Sequence, residues 1–277
     1  VHNLLGYSER SYIDTVNGQT HIRTAGDRND PAVLIFHQSP LSSAIYEPVL
    51  QHLAYLGWFV VAPDLPGFGL SDRPLNEWSI ADFGHWAEDV CRELSLDSVS
   101  VIGQHTGATI CVEMFVSNPD RVRGLILQGL PLYSDQERAE KISTYAPGYI
   151  RDEQGSHLST IWNRIYGLYP DISVGDATRQ VQEYLSIGPD YGPAYRAVFA
   201  YRLPVELLQG APLSFLHGDG DLVERMRQVI ITAFPNAAYE TIPGGSDFVS
   251  IEKPEEFAHS VNVALHALIA KKEVIHE

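Results

Sequence analysis

Four short segments hold the residues with proton-transfer chemistry: His37-Gln38-Ser39-Pro40, Gly103-Gln104-His105-Thr106-Gly107, His217-Gly218-Asp219-Gly220-Asp221 and Gly244-Gly245-Ser246-Asp247-Phe248. An imidazole titrates near neutral pH, so a histidine exposed at a turn can serve as acid or base. A carboxylate that bonds one ring nitrogen fixes the tautomer, supports the imidazolium and leaves the other nitrogen for a substrate. Other chemistries lack their residues. Cys91 and Cys111 sit in no metal-ligand spacing, and the eleven histidines include no His-x-x-x-His pair, so no bound metal is expected. No Gly-x-Gly-x-x-Gly follows a strand pattern and no Gly-Lys-Ser/Thr phosphate loop occurs, so no nucleotide cofactor is implied and none of another kind is expected.

The elements that must position these segments alternate between strand and helix. Ala32–Phe36, Trp58–Ala62, Val99–Ile102 and Leu125–Leu127 are short unbroken apolar runs, the pattern of strands buried on both faces of a parallel sheet. Helical spacing is expected near 45–56, 80–95 and 107–118, and the same grammar returns with strands at Leu213–Leu216 and Ala238–Ile242 and helices over 222–234 and 254–271. Before residue 31 an antiparallel hairpin is expected, turning at Asn17-Gly18. The whole reads as α/β, a mostly parallel doubly wound sheet. Residues 131–210 break the pattern: helical, interrupted by prolines, and holding nine of the fourteen tyrosines. They read as a helical cap over the C-terminal edge of a core made of 1–130 and 211–277, with aromatic side chains available to line a pocket.

Composition bounds the partners. The 277 residues carry 19 Lys+Arg against 35 Asp+Glu, a net charge of −16, which repels nucleic acid and anionic membrane surfaces. A small-molecule substrate is expected, with no nucleic acid and no membrane as partner; oligomeric state stays open, a homodimer included. Two cysteines cannot make a disulfide framework, and the printed N-terminal residues show no basic stretch followed by an apolar run. A reduced, cytoplasmic setting is the expectation.

Taken in order, these segments resemble the α/β-hydrolase superfamily over nearly the whole chain. His37-Gln38-Ser39-Pro40 is similar to the family's His-Gly-x-Pro loop, and Ala62-Pro63-Asp64-Leu65-Pro66-Gly67-Phe68-Gly69-Leu70-Ser71-Asp72 to its next strand and turn. Gly103-Gln104-His105-Thr106-Gly107 stands where the Gly-x-Ser-x-Gly nucleophile elbow belongs, and the loop ending at Asp221 where the family's acid belongs. Two positions depart from the pattern. The elbow apex is His105, with no hydroxyl or carboxylate to form an acyl or alkyl enzyme. The family's catalytic histidine, about seven residues before the proline that opens the last helix, is replaced by Asp247, or by Ser246 if the register slips by one.

The two changes compensate in reach, one long side chain and one short, so Asp247 is expected to accept a hydrogen bond from His105, with Asp221 behind or beside it. By resemblance, the N–H groups of Ser39 and Thr106 form an oxyanion pocket. Gln104 and Ser39 are candidates for substrate contact or for local bonding of the turn, and His37 for holding its loop from beneath. The resemblance implies a cofactor-independent enzyme acting on a small carbonyl compound, with hydrolysis of an ester, lactone or C–C bond through His105 as the default. A lyase, decarboxylase or isomerase that uses His105 and the oxyanion pocket is the competing class, and a non-catalytic ligand-binding homologue the third.

Overall fold

The computed structural model describes residues 8–276, so the stretch Val1–Tyr7, read above for leader signals, lies outside the described residues. The apolar runs become strands of one eight-stranded sheet: β1 (Glu9–Thr15), β2 (Gly18–Ala25), β3 (Ala32–Phe36), β4 (Phe59–Pro63), β5 (Val99–Gln104), β6 (Val122–Gln128), β7 (Leu213–Gly220) and β8 (Ala238–Ser246). Their order is β1-β2-β4-β3-β5-β6-β7-β8. The expected hairpin forms from β1 and β2, which are antiparallel, as is β2 against β4; every later pair is parallel.

Helices cover both faces, as parallel strands require. They are α1 (Glu47–Tyr55), α2 (Ile80–Glu93), α3 (Thr106–Ser117), α4 (Asp135–Thr144), α5 (Ser156–Leu168), α6 (Val174–Ile187), α7 (Pro193–Ala200), α8 (Arg227–Ala233), α9 (Val249–Glu252) and α10 (Pro254–His276). One core joins α2, α3 and α8 to one sheet face through residues such as Phe36, Trp86, Ile110 and Phe234; the other joins α1 and α10 to the opposite face through Leu50, Leu53, Val261 and Leu265. Each fully buried Leu or Phe contributes about 1.5–3 kcal/mol by leaving water. The chain between β6 and β7 supplies α4–α7, whose inner residues Ile161, Ile165, Tyr184 and Tyr191 extend the first core. No helix among the described residues is long and apolar enough to cross a membrane.

Two local differences bear on the site. Both β7 and β8 run past their apolar stretches, because pairing continues through Gly218 with Ile242 and Gly220 with Ser246, positions with no hydrophobic signal. The helix expected over 222–234 is shortened to a 3-10 turn at Glu224–Met226 followed by α8. The cause is Asp221: its carboxylate accepts from Val223 N at 2.9 Å and its carbonyl accepts from Glu224 N at 3.0 Å, which turns the chain before a helix can start.

Candidate active site

β5 and β6 end at one level, as do β7 and β8, which run on beyond the Leu127–Phe215 pairing of β6 with β7, and the residue after each end builds the site. Gln104 of β5 pairs with Gln128 of β6, and Gly220 of β7 with Ser246 of β8. The next residues are His105, Gly129, Asp221 and Asp247. His105 and Asp221 are therefore two strands apart, with only a glycine between them. The imidazole crosses above Gly129: a Cβ there would lie 2.4 Å from His105 Nε2 and Cδ2 and 2.9 Å from Asp221 Oδ2, and Gly129 has φ +58°. Only a glycine leaves room for that crossing. The Gly129 position was not singled out by sequence reasoning; its signal was a glycine directly after a strand, adjacent in the sheet to the elbow.

The elbow itself has the conformation its residues imply. His105 is a non-glycine residue at φ 48°, ψ −102°, a backbone region that costs energy and is held by its surroundings. His105 N donates to Gln128 O at 2.9 Å, and its carbonyl accepts from Thr109 N in the first turn of α3. A Cβ on Gly103 would meet Gly107 O at 2.2 Å, and one on Gly107 would meet Phe36 O at 2.1 Å, so both flanking glycines are sterically required.

Both acids converge on the same ring nitrogen. Nε2 lies 3.2 Å from each Asp221 oxygen and 2.9 Å from Asp247 Oδ1; the His105 side chain is 19% exposed and both carboxylates are fully buried. The Nε2–H points between the Asp221 oxygens, while Asp247 Oδ1, though closer, is off that line and has no aligned donor. Asp247 is further held by Leu222 N, 3.3 Å from Oδ2. Ser246, the alternative register, turns away and donates to Glu252 Oε1 at 2.7 Å. Thus it is Asp247 that meets the imidazole.

This arrangement sets the charges. Burial opposes the imidazolium, but the carboxylates of Asp221 and Asp247 outweigh it and push the His105 titration up to about 10. Asp221 is held below the ordinary carboxylate range, since the imidazolium outweighs its burial; burial and the neighbouring Asp221 charge push Asp247 above it. Two acids on one nitrogen keep the ring charged at pH 7, the imidazolium form that a bonded carboxylate was expected to support. Among the described residues, the donor atoms of these three side chains are also the one group that converges within 4.8 Å, close enough to share a cation.

The remaining expected residues divide. Ser39 and Thr106 line a cavity above His105, and Ser39 N lies 3.4 Å from Thr106 Oγ1. Thr106 is the first residue of α3, so its N–H has no acceptor within the helix. Gln104, a candidate for substrate contact or for local bonding of the turn, and His37, expected to hold its loop from beneath, are fully buried and do not line the cavity. Gln104 Nε2 donates to Asp247 O, which ties the elbow strand to the second acid. His37 Nε2 accepts from Leu65 N at 2.9 Å and Nδ1 donates to Gln38 O at 3.0 Å, so this ring is a neutral brace under its loop, and burial lowers its titration further. The cavity roof is aromatic: Tyr133, Tyr145, Tyr169, Tyr184, Tyr195 and Phe199 from the segments between β6 and β7. Tyr195 Oη donates to Ser39 O at 2.8 Å, linking that roof to the loop after β3.

Residues 31–254 match the family model of the alpha/beta hydrolase fold, and the chain belongs to that family. It is 25% identical over 268 residues to a haloalkane dehalogenase of Psychrobacter cryohalolentis, covering 90% of this chain and 88% of that one. A second, shorter similarity is to haloalkane dehalogenase 2 of Mycobacterium bovis, 32% over 126 residues, or 43% and 41% of the two chains. The same fold occurs in bromoperoxidase from Bacillus anthracis, with TM-score 0.79, 20% identity and coverage of 93% and 100%. Epoxide hydrolase A from Mycobacterium thermoresistibile shares it too, with TM-score 0.76, 19% identity and coverage of 94% and 98%. The protein is a hydrolase-superfamily enzyme.

Proposed function

We propose that the enzyme hydrolyses a small carbonyl-containing organic substrate, an ester, lactone or activated C–C bond, without a covalent serine step. In this reading α4–α7 act as the cap and the cavity above His105 is the substrate site. The observation that supports it most is the imidazole at the elbow apex, its Nε2 shared by Asp221 and Asp247 and its ring at the cavity. Nδ1 then faces the substrate. Its carbonyl oxygen would lie by Thr106 N–H and by Ser39 N–H once that leaves Thr106 Oγ1; one such donor is typically worth on the order of 10²–10³ in rate.

Water adds to the carbonyl carbon, its proton passing to Nδ1 of the neutral imidazole, and the resulting imidazolium returns that proton to the leaving oxygen or carbon. Neutral imidazole plus water has the same composition as imidazolium plus hydroxide, so turnover by this route rises with pH towards the His105 titration near 10. The charge of His105 also favours a second reading, an enolate-stabilising lyase or isomerase, which needs a cation at the oxygen and no water.

An ester, lactone and β-diketone panel in ¹⁸O-water separates the two, since hydrolysis places the label in product and the second class does not. His105→Gln and Asp247→Asn are both expected to lower turnover by about 10²–10⁴. Wild-type rates in both variants would end the proposal.

A further inference from the structure

We propose that Tyr184 in the cavity wall and Arg164 directly behind it make an anion-recognising end of the cavity, so that the substrate carries a carboxylate remote from the carbonyl that meets His105. In a chain with 35 acidic and 19 basic residues, most cations of the inserted segments have carboxylate partners: Arg138 and Arg202 have Asp135, Arg179 has Asp176, and Arg196 has Glu77 and Asp190. Arg164, half-buried on α5, pairs with no carboxylate among the described residues. Its surroundings are phenols. The guanidinium lies 5.3 Å from the Tyr145 ring centre and 5.5 Å from that of Tyr191, and Nε donates to Tyr184 Oη at 3.3 Å. Nη2 is buried with no hydrogen-bond partner among the described residues.

A guanidinium has five N–H donors and strongly favours an oxygen anion; ring faces answer its charge only in part. The Tyr184 oxygen already accepts from Arg164, which leaves the phenol O–H to donate elsewhere. Tyr145 and Tyr184 both line the cavity, so the cation stands one ring away from it. Lys141 reinforces the same wall, its Nζ 4.8 Å from the Tyr145 ring centre and 5.1 Å from that of Tyr133. Below, the cavity meets the His105 ring, whose charge the buried Asp221 and Asp247 already balance. A substrate with an anionic end is therefore drawn to the unpaired guanidinium above, which leaves its carbonyl toward the imidazole.

This inference rests on the cavity being the substrate site but not on hydrolysis, so binding alone tests it. The probes are benzoate, phenylacetate and 3-phenylpropionate with their three neutral amides, titrated calorimetrically into wild type, Arg164→Met and His105→Gln. At least one carboxylate is expected to bind wild type ten-fold or more tightly than its amide. Arg164→Met is expected to abolish that preference and His105→Gln to retain it. Arg164→Lys, which keeps the charge without the fork, is expected to show an intermediate preference and serves if the methionine variant does not fold. No carboxylate preference in wild type, or one that survives in Arg164→Met, overturns the proposal. A preference lost only in His105→Gln also overturns it, because the anion would then sit at the floor. Loss of turnover with the binding pattern intact would count against the proposed reaction and leave this assignment standing.

Discussion

Replacing His105 with glutamine removes a charge that two buried acids hold in place, and the effect on stability should depend on pH in a defined direction. Nε2 has the Asp221 oxygens at 3.2 Å and Asp247 Oδ1 at 2.9 Å, and these acids, against the opposing effect of burial, raise the titration to about 10. Relative to an ordinary histidine near 6.5, that favours the charged form by on the order of 5 kcal/mol. The folded-state value lies above the unfolded one, so the stabilisation is fully present below about 6.5 and is lost as pH rises through about 10. In the variant one of the two acids takes up a proton instead, so about 5 kcal/mol is the ceiling of the measured gap. The assay is urea denaturation of wild type and His105→Gln at intervals from neutral to strongly alkaline pH, with a histidine-selective NMR titration of the wild type. Tyrosine and lysine ionisation cancels in the difference. Asp221→Asn should lower the His105 titration by about 1–3 pH units, as loss of a close opposite charge does. A wild-type His105 titrating near 6.5, or a stability gap that stays constant through alkaline pH, would refute the reasoning.

Gly129→Ala should place a methyl against the imidazole and force a strained φ, costing about 1–3 kcal/mol of stability. Its activity should fall at least as far as that of His105→Gln, as read from kcat/KM and a melting curve. Gln104→Leu removes the donor to Asp247 O and leaves a buried carbonyl unpaired, so chemical denaturation should show a loss of about 1–3 kcal/mol. Ser246→Ala removes the hydroxyl that donates to Glu252 and accepts from Phe248 N, neither bond reaching His105, and kcat should stay within about two-fold of wild type, the range expected when no catalytic group is touched. For hydrolysis, log kcat/KM should climb with pH and level off near 10, whereas a reaction that uses the imidazolium as a fixed cation should be flat at neutral pH and fall above 10.

Much of the site was legible because it is local. Gly103 and Gly107 mark a turn too tight for side chains, the imidazole stands between them, and the apolar run before them ends where β5 ends. The role of Gln104 was not legible in this way, whereas the resemblance already gave His37 as a brace for its loop. Gln104 could equally have met substrate, but alternation along β5 turns one side chain up and the next down, so it became a brace beneath the cavity. Nor could composition tell that His105 stays charged, since an ordinary imidazole acquires that property only when two carboxylates reach one nitrogen.

By itself, the sequence determined the alternating α/β architecture, the elbow at His105, and the presence of acids after the last two strands, because each is written in short runs and turns. The tertiary structure alone decided that β6 lies between the elbow strand and the acid strands, that Gly129 clears the path for the ring, and that Asp221 and Asp247 share Nε2. The physical reason is that strand order and register bring together residues more than a hundred positions apart, and no local pattern of side chains encodes that distance.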